Sequence, residues 1–187
     1  MFFQTLSTHD GRFFLNEVSI GSSAPGMTAK KQQPEKLLRQ LIDHNVRFIV
    51  MGSAAAVANG LDRSVGDLDV LYDREADNLQ PLVDALASLE PYPRGAEPGL
   101  EVPWDVETID DGYSFIMTTT WGDLDLFAEI SGLGLYDDVL PDSVECELWG
   151  RRCQCLSPEQ LIENLVCSGR EKDLASADAI RKWLKSR

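Results

Sequence analysis

The sequence predicts an α+β protein, a mixed β-sheet with helices packed on it. Two observations lead there. Short apolar runs of strand length alternate with stretches of helical period, and hairpin signals interrupt that alternation. A chain of 187 residues with 43 % hydrophobic and 26 % charged residues has ordinary globular usage and enough length to bury a core.

The elements follow in order. Asp10-Gly11 reads as a hairpin turn between Phe2-Phe3 and Phe13-Phe14. Gly21 to Gln33 reads as a loop, so residues 1–33 are expected to be a hairpin-and-linker appendage, and residues 34–187 the main domain. Met27 is a conceivable alternative start. Pro34 to Asn45 is a helix, with Leu37, Leu38, Leu41 and Ile42 at helical spacing. Arg47 to Met51 is a strand. Ser53 to Asn59 is a helix of small residues closed by Gly60.

Leu68 to Tyr72 is the next strand, and Glu75 to Leu89 a helix. Pro91 to Pro103 reads as a loop. Tyr113 to Thr120 and Leu124 to Ile130 are strands joined by Trp121-Gly122-Asp123. Cys146 to Leu156 is one more strand. Ser157-Pro158-Glu159-Gln160 carries the marks of a helix start: Ser as cap, Pro first, Gln in the capping-box place. Asp173 to Leu184 is the last helix.

Charge excludes some functions. There are 31 acidic and 17 basic residues, for a net charge of −14. That balance excludes a generic basic nucleic-acid coat, but not a nucleic acid gripped at one local patch. The acids are concentrated: residues 101–150 hold 13 of them and no Lys or Arg. No apolar run is long enough to span a membrane, and Met1 to Phe14 does not read as a signal peptide. Cys146, Cys153, Cys155 and Cys167 have neither zinc spacing nor nearby histidines, so they are expected to be reduced thiols in a cytoplasmic protein.

One segment carries chemistry. The strand through Val50 runs into Gly52-Ser53, where a helix begins at once. The first N–H groups of that helix, with the Ser53 hydroxyl, suit a phosphate oxygen, and glycine lets it approach. Asp67 and Asp69 follow, two apart, so period-two geometry puts both carboxylates on one face. Such a pair repels itself unless a cation sits between, and oxygen-only ligands suit Mg²⁺. Arg63 is placed to meet phosphate as a planar fork. Asp125, between Leu124 and Leu126, offers a third carboxylate to the same face if its strand pairs with that of Asp69. Three carboxylates suffice for two metal ions. A lone Asp-x-Asp is common on solvated strands and in turns; the joined pattern is much more specific.

At these residues the chain resembles the nucleotidyltransferase superfamily, the polymerase-beta type fold. The resemblance runs from about Phe48 to about Leu184. It rests on Gly52-Ser53, Asp67-x-Asp69 and Asp125. It is closest to small bacterial and phage members through Gly52 to Ala55, Gly60, Arg63-Ser64 and Asp67-Leu68-Asp69. Asn78-Leu79, Ala85-Leu86, Ser157 to Ile162 and Gly169 to Leu174 also resemble those members, some of which are toxins or abortive-infection proteins. Where these often carry a Lys, this chain has Leu165.

The resemblance implies transfer of a nucleoside monophosphate from an NTP, ATP as first guess, to an acceptor hydroxyl. Asp67, Asp69 and Asp125 would hold Mg²⁺, in a two-metal site, with Asp125 as general base. Gly52, Ser53, Arg63 and Ser64 would hold the triphosphate. Lys172 would neutralise developing charge and Asp173 orient it; a helix start with exposed charges is the plain alternative for both. The acceptor is left open among tRNA, a partner protein as in toxin–antitoxin pairs, and a small molecule such as an aminoglycoside. A catalytically silent domain that binds nucleotide or a partner is the competing reading.

The remaining candidates read as structural. Trp104, Trp121, Trp149 and Trp183 suit packing, with Trp121 the best base-stacking candidate. His9 and His44 have no catalytic assignment. Arg151-Arg152 reads as a solvated pair, and Asp110-Asp111 and Asp137-Asp138 as turn residues.

Overall fold

A computed structural model of the chain describes residues 31–97 and 102–187, with the backbone of residues 8–9 and 12–13. Strands β1 (Thr8–His9) and β2 (Arg12–Phe13) pair antiparallel, whereas Asp10-Gly11, read as a hairpin turn, lies outside the described residues. Phe2-Phe3 and Phe14 lie outside the described residues.

The main sheet has seven strands. In chain order they are β3 (Phe48–Val50), β4 (Leu68–Tyr72), β5 (Tyr92–Pro93), β6 (Ser114–Thr119), β7 (Gly122–Phe127), β10 (Val144–Leu148) and β11 (Arg151–Cys155). A separate small pair, β8 (Glu129–Ile130) and β9 (Gly134–Leu135), lies between β7 and β10 in sequence. Across the main sheet the order is β10-β11-β3-β4-β7-β6-β5. The β11–β3 and β4–β7 pairs are parallel and the rest antiparallel, so the sheet is mixed as expected.

Helices are α1 (Pro34–Asp43), α2 (Gly52–Ala58), α3 (Ala76–Ala87), α4 (Val106–Asp111), α5 (Tyr136–Val139), α6 (Pro158–Ser168) and α7 (Glu171–Lys185). The apolar stripe of α1 puts Leu37, Leu38 and Leu41 fully inside. That helix packs on α3, β4 and β7. All three residues of β3 are buried, as in a central strand covered on both faces. Ala54, Ala55 and Ala56 of α2 are also buried; their small side chains let this short helix lie close to β4. No helix among the described residues is long and apolar enough to cross a membrane.

Several elements differ from the sequence expectation. The single strand at Cys146 to Leu156 is a hairpin, β10–β11, turned at Trp149 and Gly150. Both have positive φ, at 51° and 75°, as a two-residue hairpin turn requires. A bulky Trp in that backbone region hides the turn from sequence rules. The strand at Leu124 to Ile130 begins at Gly122 and breaks at Ala128, whose N–H bonds the Tyr113 carbonyl. The Pro91 to Pro103 loop contains the edge strand β5, where Pro93 is tolerated.

The aspartate pairs differ too. Asp110 and Asp111 are not turn residues; they end α4, which Asp105 caps by accepting the Thr108 N–H at 2.8 Å. Asp137 and Asp138 lie in α5, where Asp138 accepts the Leu135 N–H. The segment before α1 is tied to the sheet: Gln33 N–H bonds the Trp121 carbonyl, and Gln32 accepts the Asp123 N–H.

The capping box of α6 matches expectation. Ser157 Oγ accepts the Gln160 N–H, and Gln160 Oε1 accepts the Ser157 N–H. Gln160 also donates to the Val139 carbonyl, inside the protein. Ser157→Ala is expected to cost about 1 kcal/mol. Urea denaturation read by circular dichroism measures it; an unchanged midpoint would show that the cap contributes nothing.

Candidate active site

The site begins with a strand register. Strands β4 and β7 run parallel with Asp69 opposite Asp125. Alternate residues face opposite sides of a sheet. Leu68, Val70, Leu124 and Leu126 are fully buried on one side, which sends Asp69 and Asp125 to the other. Asp67 immediately precedes β4 and joins them. Ligand oxygens of Asp67, Asp69 and Asp125 lie within 4.8 Å of one another.

Glycine closes one side of this cluster. The Met51 N–H bonds the Asp69 carbonyl at 2.9 Å, which ties the end of β3 to β4. The chain then enters α2 through Gly52 at φ +60°. A Cβ there would sit 2.1 Å from Asp69 Oδ2, so any other residue would have to push that carboxylate aside and hold a strained backbone. Next to it, Ser53 Oγ is buried with no hydrogen-bond partner. A buried hydroxyl without a partner is costly, and it marks a place where an acceptor is missing.

The electrostatics are unfavourable as they stand. Burial, then the charges of Asp67 and Asp125, push the Asp69 carboxyl up from its ordinary 3.8 to about 7; Arg94 pulls the other way. Burial also raises Asp125 to about 6, against the pull of Arg94. The oxygen-only donor set, the crowding of like charge and the cradle at Gly52 all fit a hard divalent cation.

Arg94 was not among the sequence candidates. Its Nη2 donates to Asp125 Oδ1 at 2.5 Å and to the Met117 carbonyl at 3.0 Å, and its Nε stands 3.5 Å from Asp123 Oδ2. One weak signal exists in the sequence: Arg94 is the last basic residue before the acidic stretch that ends at Arg151.

The other candidates are placed less closely. Arg63 and Ser64 are exposed on the connection from α2 to β4. Lys172 is exposed on the first turn of α7. Asp173 is buried there, accepting from Ser168 Oγ and Arg170 Nε, both at 2.6 Å. These partners hold its carboxyl below the usual range despite burial. They also make Asp173 a brace of the α6–α7 turn.

Trp104 packs edge-on to Phe115 and donates to the Val83 carbonyl. Trp121 lies half-buried in the β6–β7 turn under Lys36. Arg187 covers Trp183. Arg39 donates to the Trp149 carbonyl. His44 bonds the Gln40 carbonyl at the end of α1. Arg151 pairs with Asp43 at 2.6 Å, while Arg152 lies 3.8 Å from Glu145 on the hairpin.

A pH prediction follows from the raised carboxyls. An acid with a higher pKa folded than unfolded favours the fold only while protonated. For Asp69 that contribution is complete below about pH 4 and gone above about pH 7. Each unit of difference is worth about 1.4 kcal/mol. Metal-free protein is therefore expected to lose melting temperature across that window, and Asp69→Asn to flatten the loss. Mg²⁺ at pH 8 is expected to restore stability to the parent only. A parent profile identical to that of Asp69→Asn would show that the cluster carries no strain.

The comparisons with known proteins concern the fold. No protein-family model matches the sequence, and no curated protein matches it. Two solved structures are similar. A protein from Thermotoga maritima assigned as a nucleotidyltransferase is 17 % identical, with 83 % of this chain and 96 % of that one covered, at a TM-score of 0.47. The antibiotic-resistance factor ANT(2'')-Ia is 15 % identical, with 82 % of this chain and 89 % of that one covered, at a TM-score of 0.50. The second likeness, at that distance, is one of architecture: the chain has a nucleotidyltransferase-like fold.

Proposed function

We propose that the protein is a metal-dependent nucleotidyltransferase. It moves a nucleoside monophosphate from an NTP, ATP the first choice, to an acceptor hydroxyl and releases pyrophosphate. One observation carries this reading: three carboxylates converge, with Asp69 against the Gly52 cradle, and the residue after that glycine, Ser53, has a buried hydroxyl without a partner. The acids call for a cation and the hydroxyl for an acceptor oxygen. A metal–triphosphate complex brings both.

In this reading Asp67, Asp69 and Asp125 hold Mg²⁺, two ions being what three carboxylates can hold. When bound, the metal neutralises charge on the phosphates and makes the acceptor hydroxyl more acidic. Gly52 lets the triphosphate come close, and Ser53 Oγ donates to it. Arg63 and Ser64 serve its outer oxygens. The acceptor oxygen forms a bond to the α-phosphorus. The bond from that phosphorus to the bridging oxygen breaks, and pyrophosphate leaves with the electron pair. Asp125 takes the acceptor's proton. Lys172 is the cation for developing charge, whereas Asp173 acts through the α6–α7 turn.

The acceptor is a small molecule, a tRNA end or a partner protein, including one of a toxin–antitoxin pair. The net charge of −14 favours a cationic small molecule over long nucleic-acid tracking. The test incubates labelled NTPs and Mg²⁺ with total RNA, a lysate, or cationic polyhydroxylated compounds, beside Asp67→Asn/Asp69→Asn. The expected result is label on one acceptor class, falling at least about 100-fold in the variant. Nucleotide binding with no labelled product would favour the silent, binding-only domain. Full activity in the variant would overturn the site.

A further inference from the structure

Arg94 reaches the acidic cluster from the far edge of the sheet. Its backbone N–H bonds the Ile116 carbonyl at 2.8 Å, which continues the pairing of β5 with β6. Gly95 at φ +82° then turns the chain away. Between these two features the side chain projects across β6 towards β7. There it meets Met117 O, Asp123 and Asp125 together. Asp123 is held independently, accepting from Thr118 Oγ1 at 2.8 Å and from Gln32 Nε2 at 3.2 Å.

We propose that Arg94 is a positioning residue of the acidic cluster. It holds Asp125 by Oδ1, so that Oδ2 is presented to a divalent cation shared with Asp67 and Asp69. The proposal rests on the metal-binding reading of that cluster and adds to it the residue that sets the third ligand. The alternative is a stand-in cation that fills the place of the metal and leaves when metal arrives. A stand-in would be held by the cluster alone. Arg94 is anchored by Met117 O and Asp123, neither of which belongs to the cluster, so it keeps its place when a metal binds.

The two consequences of Arg94 for metal affinity have opposite signs. Its positive charge repels a second cation, so removing it tightens metal binding if charge is all that matters. Its fork fixes a ligand, so removing it loosens binding if orientation matters. Loss of a residue that orients a metal ligand typically weakens affinity about 10- to 100-fold. The sign of the change separates the two.

The experiment titrates Mn²⁺ into the full chain without nucleotide, reading free Mn²⁺ by electron paramagnetic resonance. The parent, Arg94→Gln, Arg94→Lys and Asp123→Asn are compared, each checked for a cooperative melt. Arg94→Gln is expected to bind about 10-fold more weakly or worse. Arg94→Lys is expected to recover part of the loss, because an ammonium reaches one carboxylate but not three acceptors at once. Asp123→Asn loosens the anchor and leaves Arg94 and the cluster in place. It is expected to shift affinity in the same direction by less, and it decides the matter if Arg94→Gln does not fold. Equal or tighter Mn²⁺ binding in Arg94→Gln, or in Asp123→Asn where Arg94→Gln does not fold, overturns the positioning role while leaving the metal site standing. A parent that holds no Mn²⁺ overturns the metal reading and the role of Arg94 with it.

Discussion

Two parallel strands place aspartates side by side, and much of the site follows from that register. Asp69 and Asp125 are paired positions on β4 and β7, and Asp67 comes within reach because it immediately precedes β4. Like charges in a partly buried place oppose folding. The sheet tolerates them because the alternate residues of both strands are apolar. Leu68, Val70, Leu124 and Leu126 are fully buried. Each such side chain contributes about 1.5–3 kcal/mol. Four of them outweigh an acid whose pKa rises from 3.8 to about 7, at about 1.4 kcal/mol per unit. One alternation thus supplies the core on one side and the reactive cluster on the other.

Wherever the signal is local, the sequence is legible. Leucine spacing predicts α1, and the capping box marks the start of α6. The acid-apolar-acid runs put Asp67 and Asp69 on one face of their strand and Asp125 on the open face of its own. They cannot supply the pairing of β4 with β7, because pairing joins residues far apart in the chain. Legibility fails where backbone and side chain disagree. Trp149 occupies a left-handed turn position that its type rarely adopts, so the β10–β11 hairpin reads as one strand. Asp110 and Asp111 read as a turn because Asp favours turns. They close α4 because Asp105, five residues before Asp110, starts a helix there.

Arg94 shows a different limit. It lies in a Pro- and Gly-rich stretch that sequence rules assign to a loop, and it contacts residues on β6 and β7. No spacing rule connects it to Asp125. Asp173 is the opposite case. Its position suggests a part in the chemistry, but its carboxylate is spent on Ser168 and Arg170, and α6 and α7 are braced by it. Sequence pattern indicates which side chains are chemically able to act. Only the fold decides which are still free to do so.

The two demands left open at the site are complementary. On the strand side, three carboxylates face one guanidinium, so negative charge remains in excess. On the helix side, a buried hydroxyl has nothing to donate to. A bare cation would answer the first demand and leave Ser53 unpaired. A bare phosphate would answer the second and add negative charge to the first. A metal already bound to phosphate answers both, because its charge goes to the acids and its ligand oxygens go to the hydroxyl. Gly52 packs against the Asp69 carboxylate and is followed directly by Ser53. One turn of chain thus borders both demands, which supports reading them as one site for a metal–nucleotide complex.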